Sequence, residues 1–253
     1  MGEVVRDDGA GRGGGHGCSD HESAGRDSVE PGPGEQQVSP AALDHLVYAV
    51  PDLDAAVEQL RLRTGVTAAP GGAHAGRGTH NALVALRVRG GTTAYLELLA
   101  PDPQQPDVPP ERTMLGVGRL GAGHAPVGYA WAVRPADLDE AVARAGAAGI
   151  DVGEPVGAAR RTPAGTELAW RLAVPSPLGL GGVQPFLIDW GGAAHPLDDD
   201  LPVLGLAGLR AEHPDPVRAR QVLGLLGAEL PVSRGPVPAL HARLTGPAGS
   251  VSF

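Results

Sequence analysis

His45 and Glu97 each stand inside a run of apolar residues. His45 lies in Leu43-Asp44-His45-Leu46-Val47-Tyr48-Ala49-Val50, and Glu97 in Ala94-Tyr95-Leu96-Glu97-Leu98-Leu99. Both runs have the β-branched and aromatic content of strands. An imidazole or a carboxylate buried in such surroundings needs a partner, because burying a polar group alone is costly. Side chains alternate along a strand, so His45 shares a face with Val47 and Ala49. If the two strands are neighbours, His45 and Glu97 could converge on one ion, and this donor chemistry suits Zn, Mn, Fe or Ni. A third polar cluster, Gly78-Thr79-His80-Asn81, adds His80 near the start of the intervening strand. Each residue also has a plainer reading. His45 could be a hydrogen-bonded core histidine, Glu97 could pair with an arginine such as Arg87, and His80 could line a loop. Three such groups in one stretch favour a site.

The elements that must position these residues follow from the pattern around them. Asp52 is placed to cap a helix whose Leu53, Ala56, Val57 and Leu60 fall on one face, and Gly65 stands where that helix would end. Past a glycine-rich loop come strands over 82–88 and 94–99, joined by Arg89-Gly90-Gly91. The same order recurs with a strand over 128–133, a helix from Asp137 closing near Gly149, and strands over 168–174 and 186–190. Asp52-Leu53-Asp54-x-Ala56-Val57 matches Asp137-Leu138-Asp139-x-Ala141-Val142 at an offset of 85 residues, and the preceding strands match at 83. Internal repetition of this kind is a strong architectural signal. A weaker third copy runs from Val203 through Pro216, suited to a helix's first position, to Phe253. The expected class is α+β, with modules over 41–126, 127–200 and, in part, 201–253.

Residues 1–40 differ in texture. They hold eight acidic residues against three arginines, so they carry five of the nine excess negative charges and little that could be buried. Such a tail is expected to lack structure. His16, Cys18 and His21 within it could in principle hold a metal, but a tract of this kind is far more often incidental.

Composition removes several functions. Net charge is −9 with only eight aromatic residues, against the basic, stacking surface that nucleic acid requires. All 20 basic residues are arginine, which excludes a Schiff-base lysine and a Walker A lysine. Cys18 is the only cysteine, so no intrachain disulfide forms. No apolar stretch suits a signal peptide or a membrane span, and a cytoplasmic location is expected. No Gly-x-Ser-x-Gly elbow occurs. Gly179–Gly182 lacks the strand-to-helix context of a dinucleotide site and reads as loop. Arg160-Arg161 reads as a loop pair that could meet an anion but more simply faces solvent.

Taken together, Asp44–Leu53, Gly78–Leu83 and Ala94–Leu99 resemble the glyoxalase-like domain family of the vicinal oxygen chelate superfamily, over about residues 43–190. The resemblance implies βαβββ units paired into a cup-shaped mixed sheet around a ligand. It also implies metal ligands from the first and last strands of each module. By position these are His45 and Glu97 in the first, and Asp189 of Phe186-Leu187-Ile188-Asp189-Trp190 in the second. The fourth position falls on Gly128, which has no side chain, so His80 or a water would have to compensate.

Two functions follow. One is a lyase, isomerase or dioxygenase in which a divalent ion on His45, Glu97, Asp189 or His80 chelates a small oxygenated substrate, with Glu97 and His80 acting on it. The other is a metal-free module that sequesters a small molecule, favoured by the gap at Gly128. The expected partner is a small molecule, without nucleic acid or membrane; a homodimer is left open.

Overall fold

The computed structural model describes residues 38–88, 91–161, 165, 167–198 and 200–253. His16, Cys18 and His21, and all but the last three residues of the expected tail, lie outside the described residues. The first module is β1 (Ala42–Ala49), α1 (Leu53–Thr64), β2 (Ala69–His74), β3 (Thr79–Val88) and β4 (Gly91–Pro101). The second is β5 (Val127–Arg134), α2 (Leu138–Ala147), β6 (Pro155–Arg161), β7 (Glu167–Ala173) and β8 (Phe186–Asp189). The third is β9 (Val203–His213), α3 (Pro216–Leu225), β10 (Val232–Arg234), β11 (Ala239–Gly246) and β12 (Gly249–Ser252).

Local signals set the helix ends. Asp52, Asp137 and Asp215 each accept a hydrogen bond from the backbone N–H three residues on, at 2.9–3.0 Å, satisfying a donor the helix cannot use. Gly65 closes α1 with φ of 78°, a left-handed conformation that glycine adopts without steric cost. Leu53, Ala56 and Val57 pack partly buried against the sheet and Leu60 lies fully within it.

All twelve strands join one mixed sheet, ordered β12-β11-β9-β3-β4-β1-β5-β8-β7-β6, with β2 on β3 and β10 on β9. In both of the first two modules the first strand pairs in parallel with the last, β1 with β4 and β5 with β8. The middle strands return antiparallel. The modules meet where β1 runs antiparallel to β5. The third module repeats the order of elements but not the wiring: β9 pairs antiparallel with β11 and parallel with β10, leaving β12 outermost on β11. It attaches through β9, which runs parallel to β3 over Ala85–Arg87.

The sheet has two apolar faces. On one, Leu46, Val84, Leu96, Leu98, Trp131 and Leu187 pack with residues of all three helices. Trp131 is 1% exposed and its indole N–H donates to the Val183 carbonyl at 2.8 Å, so its one polar atom is satisfied. On the other face, Val47, Tyr95, Leu99, Ala130, Ala132, Trp170, Ile188 and Trp190 line a cup spanning the first two modules.

Candidate functional site

At the floor of the cup is a cavity of about 30 Å³, walled by His45, His74, Asn81, Tyr95 and Glu97 from the first module and by Leu172, Trp170, Phe186, Ile188 and Trp190 from the second. The polar groups come from four successive strands. His45 and Glu97 are on β1 and β4, whose parallel register sets His45 opposite Tyr95 and Val47 opposite Glu97. Period-two alternation then aims both into the cup. His45 Nε2 lies 3.7 Å from Glu97 Oε2 and His74 Nε2 lies 3.8 Å from Glu97 Oε1, beyond hydrogen-bond length. Asn81 Nδ2 donates to Glu97 Oε1 at 2.6 Å, while Asn81 Oδ1 is buried without a hydrogen-bond partner among the described residues.

Both imidazoles are held from behind. His74 Nδ1 is 2.9 Å from the Thr79 hydroxyl, its cross-strand neighbour at the end of the β2–β3 hairpin. His45 Nδ1 is 2.6 Å from Asp44 Oδ1. Adjacent strand residues normally face opposite ways. Here the register shifts between Leu43 and His45, so Asp44 has no cross-strand partner on β5 and its carboxylate turns to the His45 side.

Asp44 is fully buried and densely served. Its Oδ2 accepts from Trp190 Nε1 at 3.1 Å and lies 3.1 Å from His195 Nε2, with Arg134 Nε in an ion pair at 3.0 Å. Because His195 Nδ1 accepts from the Leu197 N–H, the proton of that ring sits on Nε2, facing Asp44. Burial pushes the Asp44 carboxyl up, but hydrogen bonds from His195 and His45 outweigh it and hold the group well below the usual carboxylate range. An ionised Asp44 takes the Nδ1–H of His45, so Nε2 is the ring nitrogen that faces Glu97. Tyr95 stacks on the His45 ring with centroids 4.6 Å apart, and Phe186 meets it edge-on at 5.3 Å. The ring is therefore fixed in tilt, with Nδ1 turned to Asp44 and Nε2 to Glu97.

Of the four residues expected from sequence, the structure brings His45 and Glu97 together and leaves His80 and Asp189 elsewhere. His80 alternates onto the other side of β3 and lines a separate hollow with Leu53, Val57 and Asp102. Asp189 alternates away from Phe186, Ile188 and Trp190, and its Oδ1 accepts from the Gly191 N–H at 2.8 Å. Gly128 is not a vacant ligand position, since a Cβ there would stand 2.7 Å from the Leu240 carbonyl of β11, on the face opposite the cup. The third cup-facing donor is His74, which lies on β2 where Pro70, Gly71 and Gly72 hide the strand. Asp44 and His195 were missed because a bulge and a post-strand loop bring them in.

Above this cavity lies a cleft of about 520 Å³ that shares Met114, Leu115 and Leu172 with it and carries Arg77, Arg119, Glu111 and Glu154 at its rim. Leu115 has φ of 54°, uncommon for a residue with a branched side chain, and its carbonyl accepts from the Tyr129 hydroxyl at 3.0 Å.

The paired βαβββ modules, closed into a cup with polar side chains on its floor, are the architecture of the vicinal oxygen chelate superfamily. Residues 43–227 match the model of the glyoxalase-like domain family, and the chain belongs to that family. Its structure is similar to a crystal structure of a hypothetical protein from Staphylococcus aureus, at 15% identity over 84% of each chain with a TM-score of 0.56. It also aligns with a Streptomyces coelicolor methylmalonyl-CoA epimerase in complex with 2-nitronate-propionyl-CoA, at 25% identity over 59% of this chain and 97% of that one, TM-score 0.41. A methylmalonyl-CoA epimerase from Mycobacterium tuberculosis aligns at 24% identity over 59% and 87%, TM-score 0.37. No curated protein matches the chain. No helix among the described residues is long and apolar enough to cross a membrane.

Proposed function

We propose that the chain is a metal-dependent enzyme of the lyase, isomerase or dioxygenase kind, cytoplasmic, acting on a small oxygenated substrate. Its divalent ion (Zn, Mn, Fe or Ni) would be held by His45, His74 and Glu97. One observation carries the reading: His45 Nε2, with Nδ1 held by Asp44, faces a buried carboxylate oxygen at 3.7 Å. Two electron-rich groups at that separation repel unless a cation or a proton lies between them. The donor chemistry fits an ion, since two imidazoles and a carboxylate suit all four metals. Backing of each imidazole by a second residue is also the usual arrangement at metal-bound histidines.

When bound, the ion would supply Lewis-acid stabilisation of negative charge on substrate oxygen. Asn81 tethers Glu97 Oε1, which leaves Oε2, opposite His45 Nε2, as the carboxylate oxygen that would hold the ion. Trp170, Trp190, Phe186 and Tyr95 keep water from the floor of the cup and so strengthen its electrostatics. The 30 Å³ cavity has room for about one water or ion, so an organic substrate would occupy the larger cleft and reach down past Leu115.

A metal-free sequestering module is the second reading. It is favoured by the wholly apolar lining from the second module, and by the absence, among the described residues, of three or more ligand-type side chains already grouped to hold an ion. Elemental analysis of protein purified without a metal-binding tag separates the two. About one equivalent of transition metal is expected, and His45→Ala and Glu97→Ala should each weaken uptake by about a hundredfold or more while the circular dichroism spectrum is unchanged. No metal, and none taken up on dialysis against Zn, Mn, Fe or Ni, would establish the second reading instead.

A further inference from the structure

The opposite face of the sheet holds a second concavity that the proposed reaction does not use. The third module curls back so that β11 and β12 cover the outer side of β1, and α1 closes the remaining flank. Enclosed between them is a cavity of about 380 Å³, within the range of small-molecule sites. Its walls are apolar, formed chiefly by Leu60, Leu96, Leu98, Leu244, Val251 and Phe253. Tyr48 enters from β1, its ring 4.3 Å from that of Phe253.

Two hydrogen-bond donors lie at one end of this cavity with nothing to bind. Arg63, exposed in the last turn of α1, stands at its mouth, and its side chain has no hydrogen bond or ion pair among the described residues. Arg61, two positions earlier, is by contrast engaged bidentately by Glu58 at 2.6 and 2.7 Å. The Tyr48 hydroxyl likewise has no hydrogen-bond partner among the described residues, and the nearby Arg63 charge partly counters the rise that burial imposes on its pKa. The one carboxylate side chain on the lining, Asp52, is at the far end of α1 and is already committed to the Ala55 N–H, and Gln59 and Ser252 are the other polar side chains there.

We infer that this cavity is a binding site for a small amphipathic anion, a medium-chain or aromatic carboxylate whose apolar body lies among the leucines and whose head group meets Arg63 and Tyr48. The site is independent of the metal reading, because none of its residues reaches the cup.

A fluorescence titration of the full chain with 8-anilinonaphthalene-1-sulfonate, competed by octanoate and by 1-octanol, tests this. The expected result is one dye per chain, displaced at least about tenfold better by octanoate than by octanol, as a charged head-group contact requires. Arg63→Gln should abolish that preference and weaken the dye by about tenfold at low salt, less at high salt. Tyr48→Phe, which keeps the ring against Phe253, should weaken it by a few-fold. Arg77→Gln with Arg119→Gln, in the cleft above the cup, should change nothing. The proposal is overturned if the dye responds to that pair instead of Arg63, or if octanol competes as well as octanoate. A dimer on size exclusion that shuts the dye out would overturn it too, by making the cavity an interface between copies.

Discussion

The first and second modules share their wiring, each with parallel first and last strands and the same antiparallel return, yet they line the cup with opposite chemistry. The first sends His45, His74, Asn81 and Glu97 to the floor. The second sends Leu172, Trp170, Phe186, Ile188 and Trp190. Its polar groups do act on the site, but one layer back: Trp190, Arg134 and the following His195 converge on Asp44, which belongs to the first module. Duplication has thus given one half whose polar side chains reach the floor and one half that lines it with apolar rings and braces Asp44 from behind. The strands fix where a side chain points; they do not fix which type stands there.

That division can be broken or sharpened by substitution. The largest effect is expected from Asp44→Asn, which removes the buried charge that both modules share. Metal affinity should fall by 10- to 100-fold, about what loss of a group backing a metal-bound imidazole costs. Urea denaturation should also show a loss of about 1.5–3 kcal/mol, since the buried Trp190 indole and the His45 and His195 rings lose a charged acceptor, while the partly exposed Arg134 stays solvated. A variant of unchanged affinity would mean that His45 needs no orienting partner and that the second module is only a wall.

Gly128→Ala comes next. If the second module had simply lost a ligand there, a side chain would be harmless. With the Leu240 carbonyl 2.7 Å from the added Cβ, the variant should instead lose about 1–3 kcal/mol, read from its urea midpoint, with metal content unaltered. The smallest effects belong to His80→Ala and Asp189→Asn. Metal titration should not distinguish either from the parent, and stability should move by no more than about 0.5 kcal/mol. A marked loss of metal in Asp189→Asn would restore a chemical role to the second module.

The parts of this molecule that sequence made legible are those where local rules act unopposed. Caps at Asp52 and Asp137, the glycine stop at Gly65 and the repeated helix openings gave the modules. His45 and Glu97 stood out as polar residues in apolar runs. What stayed hidden depends on neighbours distant in sequence. In β2, Pro70, Gly71 and Gly72 erase the strand signal, yet a Cβ at Gly71 would run into the Asn81 amide that braces Glu97. The residues that conceal the strand therefore make room for the site, and with β2 went His74. The side of the strand facing the cup decided against His80 and Asp189, and in β8 alternation identifies that side only once Trp190 is known to point inward. The third module has the expected order of elements. Its pairing was fixed by the free edge of β3 beyond the end of β2, which no repeat pattern records.

That edge has a consequence for how the chain acquires its structure. Strand β3 is completed at one end by β2, its immediate predecessor, and at the other by β9, from the far side of the entire second module. Pairings between such remote segments pay a large loop-closure entropy and form late. A chain emerging from the ribosome would therefore have the His45–Glu97 pair assembled by β1 and β4 while Leu86 and Arg87 still lacked their outer neighbour. Arrest of synthesis before β9 would leave an unpaired strand edge able to recruit another chain. The last module thus serves the first as a seal against misassembly.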